Sequence, residues 1–469
     1  MNRRHIAILV LLLGPALPLF MSCSRPPVEG PDVIVILVDT LRRDALGCYG
    51  NPRDPTPAID RFARESTRFK NAISPSGWTL PAVASLLTGT WPSIHRAQGK
   101  VSRLTPLSPD VTPCTVPLQA AGYRTLAVAN AAFLSPLLGL DRGFDVFDHR
   151  HAYNQEIRGA AESVDRALAL LDLEPDHPAF LLLHLFDPHL DYDPPEDPFR
   201  FTGGRTEPPP PLGMKACGDL CMPEDVVDPE AVEYVRAIYL AEVACVDRQV
   251  GRFLDELKRR GRYDEALVIL LADHGEEFFE HGDFEHGHTL YDELIKVPLL
   301  VKWPEGRGPV PGAVAKQVPT LDLMPTVFDV LGLDTPASCV GRSLLETAWG
   351  GERTERLLFS EATLYGPEKM SLRTGRREKV IVTYVREGPP VIEIYDLRKD
   401  PLERVNLAPT SPELVERLGG QIRDVRQRLT QEGARNRVGS VQDLDPKKSA
   451  EYLKSLDSLG YTRGSKKND

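Results

Sequence analysis

The chain has no excess of positive charge. Its 56 lysines and arginines stand against 67 aspartates and glutamates, a formal net charge of −11 over 469 residues. That balance argues against nucleic acid as a partner. It has no internal repeat and no heptad run, which excludes a solenoid or a coiled coil. The N-terminal apolar run, Ile6 to Phe20, is interrupted by Pro15 and Pro18 and falls short of the ~20 residues of an ordinary membrane span. Cysteine is sparse, seven in all. Cys217 and Cys221 bracket a short loop, but no second pair or nearby histidine completes a tetrahedral zinc site around them.

What is present is ordinary globular material, 42% hydrophobic and 26% charged. The length suffices for one large domain plus a smaller one with a sizeable core. Arg3-Arg4 before the apolar run and Met21-Ser22-Cys23-Ser24 after it have the anatomy of an export signal. Residues 1–23 read as a lipoprotein-type signal peptide with Cys23 as the acylation site, although Phe20 matches the cleavage box poorly. Ordinary secretion and an uncleaved anchor are the alternatives. The expectation is an exported chain in the bacterial cell envelope, periplasm-facing or on the outer surface, with a lipid anchor in the membrane. Disulfides can form there, and Cys217–Cys221 is the expected pair.

After a linker at 24–32, Val33-Ile34-Val35-Ile36-Leu37-Val38 is an unbroken apolar run that ends at Asp39. Such a run reads as a central strand buried on both faces. Arg124 to Ala129 ends likewise at Asn130, Phe180 to Phe186 at Asp187-Pro188-His189, and Leu267 to Ala272 at Asp273-His274. Helical patterns at Thr56–Glu65, Glu156–Leu171 and Val232–Arg260 lie between them. The alternation predicts an α/β fold, a large mostly parallel sheet flanked by helices, over 33–350. Short strands then predict a small C-terminal antiparallel-sheet subdomain over 351–410, and 411–469 reads as a helix and charged tail. Ligands of open parallel sheets bind at the carboxyl ends of the strands, where these polar residues collect.

The stretch Ser76 to Gly89 delivers a hydroxyl to the start of a helix. Pro81 suits the first helical position and Gly89 the stop. Thr79 then lies where free N–H groups and the helix dipole favour negative charge, although a threonine there is more often a plain cap. Asp39, Asp273 and His274, with Thr79 in contact, form a donor set for one divalent cation: Mn²⁺, Ca²⁺, Mg²⁺ or Zn²⁺. Asn130 and His189 can donate to charge developing on a substrate, or His189 can protonate a leaving group. His281, Glu285, His286 and His288, combined with Asp187, His189 and Asp191, can hold a second metal; solvated loop histidines are the alternative.

These residues carry a resemblance to the sulfatase family of the alkaline phosphatase superfamily. The matching pieces are Val38-Asp39-Thr40-Leu41-Arg42-Arg43-Asp44, the Thr79 block with Leu86-Leu87-Thr88-Gly89, and Asp187-Pro188-His189. They continue through Asp273-His274-Gly275-Glu276 and Gly287-His288-Thr289-Leu290-Tyr291 to Tyr395-Asp396-Leu397, in family order. The resemblance implies an alkaline phosphatase-like fold, metal ligation by Asp39, Asp273 and His274, and hydrolysis through a covalent intermediate; Asn130, His189 and His288 are expected to serve the substrate. The departures are specific. Sulfatases place a Cys or Ser, matured to formylglycine, where Thr79 stands, and an Arg where Val83 stands. Asn130 replaces a usual Lys, and Thr40 the second Asp of the metal pair. Threonine yields no aldehyde, so a phosphate or phosphonate ester is expected ahead of a sulfate ester. The substrate is expected to be a small anionic ester or a glycan or lipid headgroup. A sulfatase proper, a phosphotransferase to an alcohol and a non-catalytic binding protein remain as alternatives.

Overall fold

The computed structural model describes residues 29–441 apart from 151–157, 191, 196, 198, 207–228, 352–354 and 376, together with 446–458. The export signal, the Cys217–Cys221 pair and Asp191 lie outside the described residues. No helix among the described residues is long and apolar enough to cross a membrane.

The centre is a nine-stranded sheet. Its strands are β1 (Val33–Val38), β2 (Thr67–Ile73), β3 (Arg124–Ala129), β4 (Val146–His149) and β5 (Ala179–Leu185). They continue with β6 (Leu267–Ala272), β7 (Lys296–Val297), β8 (Leu299–Lys302) and β9 (Gly312–Pro319). The order is β7-β2-β8-β6-β1-β5-β3-β4, with β9 beside β2. From β6 to β4 every neighbouring pair is parallel, and β8 joins β6 antiparallel. Every residue of β1, β3, β5 and β6 is buried, which is why these strands read as unbroken apolar runs. Helices α1 (Pro57–Arg64), α3 (Ala160–Asp172) and α4 (Pro229–Arg259) flank the sheet. Their apolar faces join the strands in one core.

Register places the site. Val38 pairs with Leu185 on one side and Ala272 on the other. Asp39 and Asp273 therefore leave the sheet at the same level, and the Asp39 N–H donates to the Leu185 carbonyl at 2.9 Å.

Helix α2 (Thr79–Thr88) begins two residues earlier than its proline suggests. Trp78, in extended conformation, is the N-cap, so Thr79 is the first helical residue and Pro81 the third. The correction is small in energy, because the first-turn N–H groups have no helical acceptor in any case. Gly89 ends the helix as expected, at φ 65°, a left-handed conformation that glycine adopts without Cβ penalty.

The C-terminal sheet is antiparallel, in the order β10 (Leu357–Glu361), β11 (Glu368–Thr374), β12 (Glu378–Tyr384), β13 (Val391–Asp396). Helix α5 (Pro412–Gly433) covers it, packing Leu418, Ile422 and Leu429 on Phe359, Leu372, Val380 and Ile394. Buried charge ties this sheet to the larger one. Lys379, fully buried, contacts Asp292 at 3.0 Å and Glu403 at 2.7 Å, and Arg373 also pairs with Asp292.

Candidate active site

Three elements converge at the carboxyl edge of the sheet. Asp39 follows β1, Asp273 and His274 follow β6, and Thr79 opens α2. One donor atom from each of Asp39, Asp273 and His274 lies within 4.8 Å of the others. His274 Nε2 is 3.5 Å from Asp39 Oδ1, 3.4 Å from Asp273 Oδ2 and 3.3 Å from Thr79 Oγ1. The other ring nitrogen, Nδ1, lies 2.9 Å from the Gly275 carbonyl. Donation there fixes the tautomer and turns the Nε2 lone pair toward the carboxylates, the arrangement of a ligating histidine.

The residues fit a divalent cation. Both Asp39 oxygens and Asp273 Oδ2 are buried without a hydrogen-bond partner, a costly state that a bound cation relieves. Burial and the neighbouring Asp39 charge push the Asp273 carboxyl well above its usual range. For Asp39, burial alone would raise the carboxyl, but His184, with its Nε2 3.3 Å from Oδ2, and the surrounding imidazoles outweigh it and hold it low. Burial, with His286 beside it, pushes the His274 imidazole down to about 3, so the ring is neutral and available as a ligand. Two carboxylates and one imidazole suit Mg²⁺, Mn²⁺, Ca²⁺ or Zn²⁺.

Histidines wall the site. The His286 ring centroid is 4.5 Å from that of His274 and 5.0 Å from that of His189. His286 Nδ1 sits 2.9 Å from Glu276 Oε1, and Tyr192 donates its hydroxyl to Glu276 Oε2 at 2.9 Å. Burial pushes Glu276 up to about 7 and His286 down to about 4. His189 stacks on Phe186 and lies with Nδ1 2.8 Å from the Leu190 carbonyl. His184, hidden within the apolar run of β5, was absent from the sequence-derived site; its Nε2 lies 3.3 Å from Asp39 Oδ2. A lone histidine in a buried strand carries no pattern of its own.

Asn130 is in place at the end of β3, but its Nδ2 is occupied. It donates to Ser163 Oγ at 3.0 Å and the His184 carbonyl at 2.8 Å, so the amide nitrogen joins β3, β5 and α3. His288 pairs with Glu277 at 2.9 Å, and that partner outweighs burial to raise its pKa.

The residues expected to share a second metal are divided among separate partners. Asp187 accepts from the Ala160 N–H at 2.7 Å and caps α3. His286 goes to Glu276, and His288 to Glu277. His281 lies at 2.5 Å from Glu293 Oε1 and 3.2 Å from the Glu403 carbonyl, stacked on Tyr291. Glu277, His281 and Glu293 do lie within one ligand sphere. Both His281 nitrogens face acceptors, however, as those of an imidazolium do.

That pairing has a pH signature. Burial would lower the His281 pKa, but the Glu293 hydrogen bond outweighs it and raises it from 6.5 to about 9. A folded-state value above the unfolded one stabilises fully below the unfolded pKa and is lost as pH rises through the folded pKa. Thermal melts should therefore show wild type ahead of His281→Gln at pH 6, with the gap closing as pH rises through about 9. A gap that stays constant with pH would contradict the imidazolium assignment.

The comparisons with known proteins fall on this geometry. The profile of the family described as Sulfatase matches residues 31–333, from the start of β1 past the whole site. The chain belongs to the sulfatase family. The C-terminal profile of N-sulphoglucosamine sulphohydrolase also matches, over residues 279–428 of this sulfatase-family protein. An arylsulfatase of Clostridium perfringens is 24% identical, covering 83% of this chain and 92% of its own. Among solved structures, one in complex with its substrate D-glucosamine-2-N,6-O-disulfate aligns with TM-score 0.70 at 18% identity. It covers 86% of this chain and 99% of its own. The phosphonate monoester hydrolase of Agrobacterium radiobacter aligns with TM-score 0.69 at 21% identity, covering 88% and 97%. Both structures share the overall fold of this chain.

Proposed function

We propose that this sulfatase-family protein is an exported, metal-dependent hydrolase. It cleaves a phosphate or phosphonate ester, in preference to a sulfate ester, through a covalent intermediate on Thr79. The observation that carries the reading is the buried Thr79 hydroxyl at the N-terminus of α2, 3.3 Å from His274 Nε2 and beside Asp39 and Asp273.

Asp39, Asp273 and His274 would hold one divalent cation, which when bound supplies Lewis-acid stabilisation of charge on the ester oxygens. The first turn of α2 favours negative charge on Thr79 Oγ1 as it approaches phosphorus. As the Oγ1–phosphorus bond forms, the Thr79 hydroxyl proton passes to solvent and the bond from phosphorus to the ester oxygen breaks; that oxygen takes up a proton, with His189, one of the site histidines, as the proposed donor. Water then attacks phosphorus, the bond to Oγ1 breaks and the threonine is restored. Asn130 serves by fixing the ends of β3 and β5 rather than through its amide donor. His286, held by Glu276, has its ring 4.5 Å from that of His274 and 5.0 Å from that of His189, whereas His288 pairs with Glu277.

The preference for phosphorus rests on chemistry. A hydrated aldehyde expels sulfate by collapsing to a carbonyl, whereas a threonine ester has no such exit. A phospho-threonine is cleared by attack at phosphorus. The A. radiobacter phosphonate hydrolase, of the same fold, supports this reading, and the arylsulfatase likeness supports the rival sulfate reading. The test is a turnover panel of aryl phosphate monoesters, diesters, phosphonates and sulfates, with Mn²⁺, Zn²⁺, Ca²⁺ or Mg²⁺ loaded in turn. Phosphorus esters should be turned over at least roughly tenfold faster in kcat/KM than the sulfate. Faster sulfate turnover would reject the preference. An added alcohol that diverts the product would show group transfer. Bound metal with no turnover would favour a binding protein.

A further inference from the structure

Cys114 and Cys339 are 225 residues apart in the chain, yet their Sγ atoms lie 3.1 Å apart, roughly 1 Å beyond a disulfide bond length. Backbone contacts bring them there. The Cys114 N–H donates to the Leu87 carbonyl at 2.8 Å, and the Val340 N–H to the Gly89 carbonyl at 2.9 Å. Cys339 Sγ also lies 3.4 Å from the Thr88 carbonyl. Both cysteines are thus fixed on the last turn of α2, the helix whose first residue is Thr79. Gly89 leaves the room: a Cβ there would come within 2.8 Å of Cys339 Sγ.

We propose that Cys114 and Cys339 are oxidised to an intramolecular disulfide that clamps the C-terminal end of α2 between the segments leading out of Pro113 and Pro336. Cys114 is buried and Cys339 partly exposed, so Cys339 is the point of entry. Its thiolate attacks the disulfide of an oxidised dithiol carrier and releases one carrier thiol. The Cys114 thiolate then attacks the Cys339 sulfur of the mixed disulfide and releases the second. Two protons and two electrons leave the protein, and the carrier disulfide becomes a dithiol. Sequence spacing points instead to Cys217–Cys221, because the contact that joins Cys114 to Cys339 exists only in the folded chain.

The test is peptide mapping of the purified protein, folded with oxidised glutathione or a dithiol oxidoreductase and digested without reduction. A linked peptide pair carrying Cys114 and Cys339, lighter by about 2 Da than the two thiols, is expected. Reduction should lower Tm by roughly 5 °C, given the long loop the bond closes. Cys339→Ser should show the lower Tm without reductant and no further fall with it. Both thiols alkylated after oxidation, or either linked to another cysteine, would overturn the proposal. Equal reductant sensitivity in wild type and Cys339→Ser would do the same.

Discussion

Thr79→Ala should abolish turnover, by roughly 10⁴-fold or more in kcat, and leave the protein folded. The size follows from the role, since without Oγ1 no atom remains to carry the covalent intermediate. The small structural effect follows from the surroundings. Thr79 is buried, and its hydroxyl is paired with His274 Nε2 at 3.3 Å, so alanine loses one modest hydrogen bond of about 1 kcal/mol. The α2 cap belongs to Trp78 and is untouched. Cation-dependent stabilisation should survive, because Asp39, Asp273 and His274 remain. Thr79→Ser, which restores a hydroxyl at the same place, should recover much of the rate. An alanine variant that turns over like wild type would end the nucleophile assignment; one that fails to fold would leave the serine variant to decide.

Asp273→Asn separates metal binding from folding, with opposite signs. The substitution removes one of two carboxylates, so metal affinity and turnover should each fall by roughly 10²-fold or more. The metal-free protein should become more stable. Asp273 Oδ2 and both Asp39 oxygens are buried without hydrogen-bond partners, and an asparagine Nδ2 can donate to the Asp39 carboxylate. Removing a carboxyl that burial beside Asp39 forces to stay protonated is worth about 1–3 kcal/mol. The sign with pH is fixed as well. In the chelated wild type, burial and Asp39 raise the Asp273 pKa well above its ordinary 3.8. The folded chain then holds a proton that the unfolded chain releases, so stability falls as pH rises above about 4, until the folded pKa is passed. The variant lacks that contribution. Melts in chelator from pH 4 to 8, followed by metal titration, read both effects. Wild type indifferent to chelator, with the variant destabilised, would contradict the cation site.

The scaffold of the site was legible because burial on both faces leaves a mark in one dimension. Val33–Val38, Arg124–Ala129 and Leu267–Ala272 came through with their bounds intact, and the polar residues that end them do face one edge. Partnership is a different kind of information. Nothing in Leu183-His184-Leu185 marks His184 as a neighbour of Asp39, since β1 and β5 meet only in the sheet. The histidines after β6 looked like one metal cluster because they crowd the sequence. Turns through Gly282 and Gly287, both at positive φ, send them to Glu293, Glu276 and Glu277 instead. Asn130 shows the same limit: its residue type suggested a donor to substrate, and only its neighbours Ser163 and His184 reveal where the donor goes. Pro81 misled by two positions because an orphan N–H is tolerated throughout a first helical turn.

The central claim is the covalent intermediate on Thr79. Its most direct test is acid quench during steady turnover of an aryl phosphonate, followed by peptide mass spectrometry. The account predicts the phosphonyl group on the peptide that contains Thr79, present in wild type and absent in Thr79→Ala. Turnover with no adduct on that peptide, or an adduct on another residue, would contradict it.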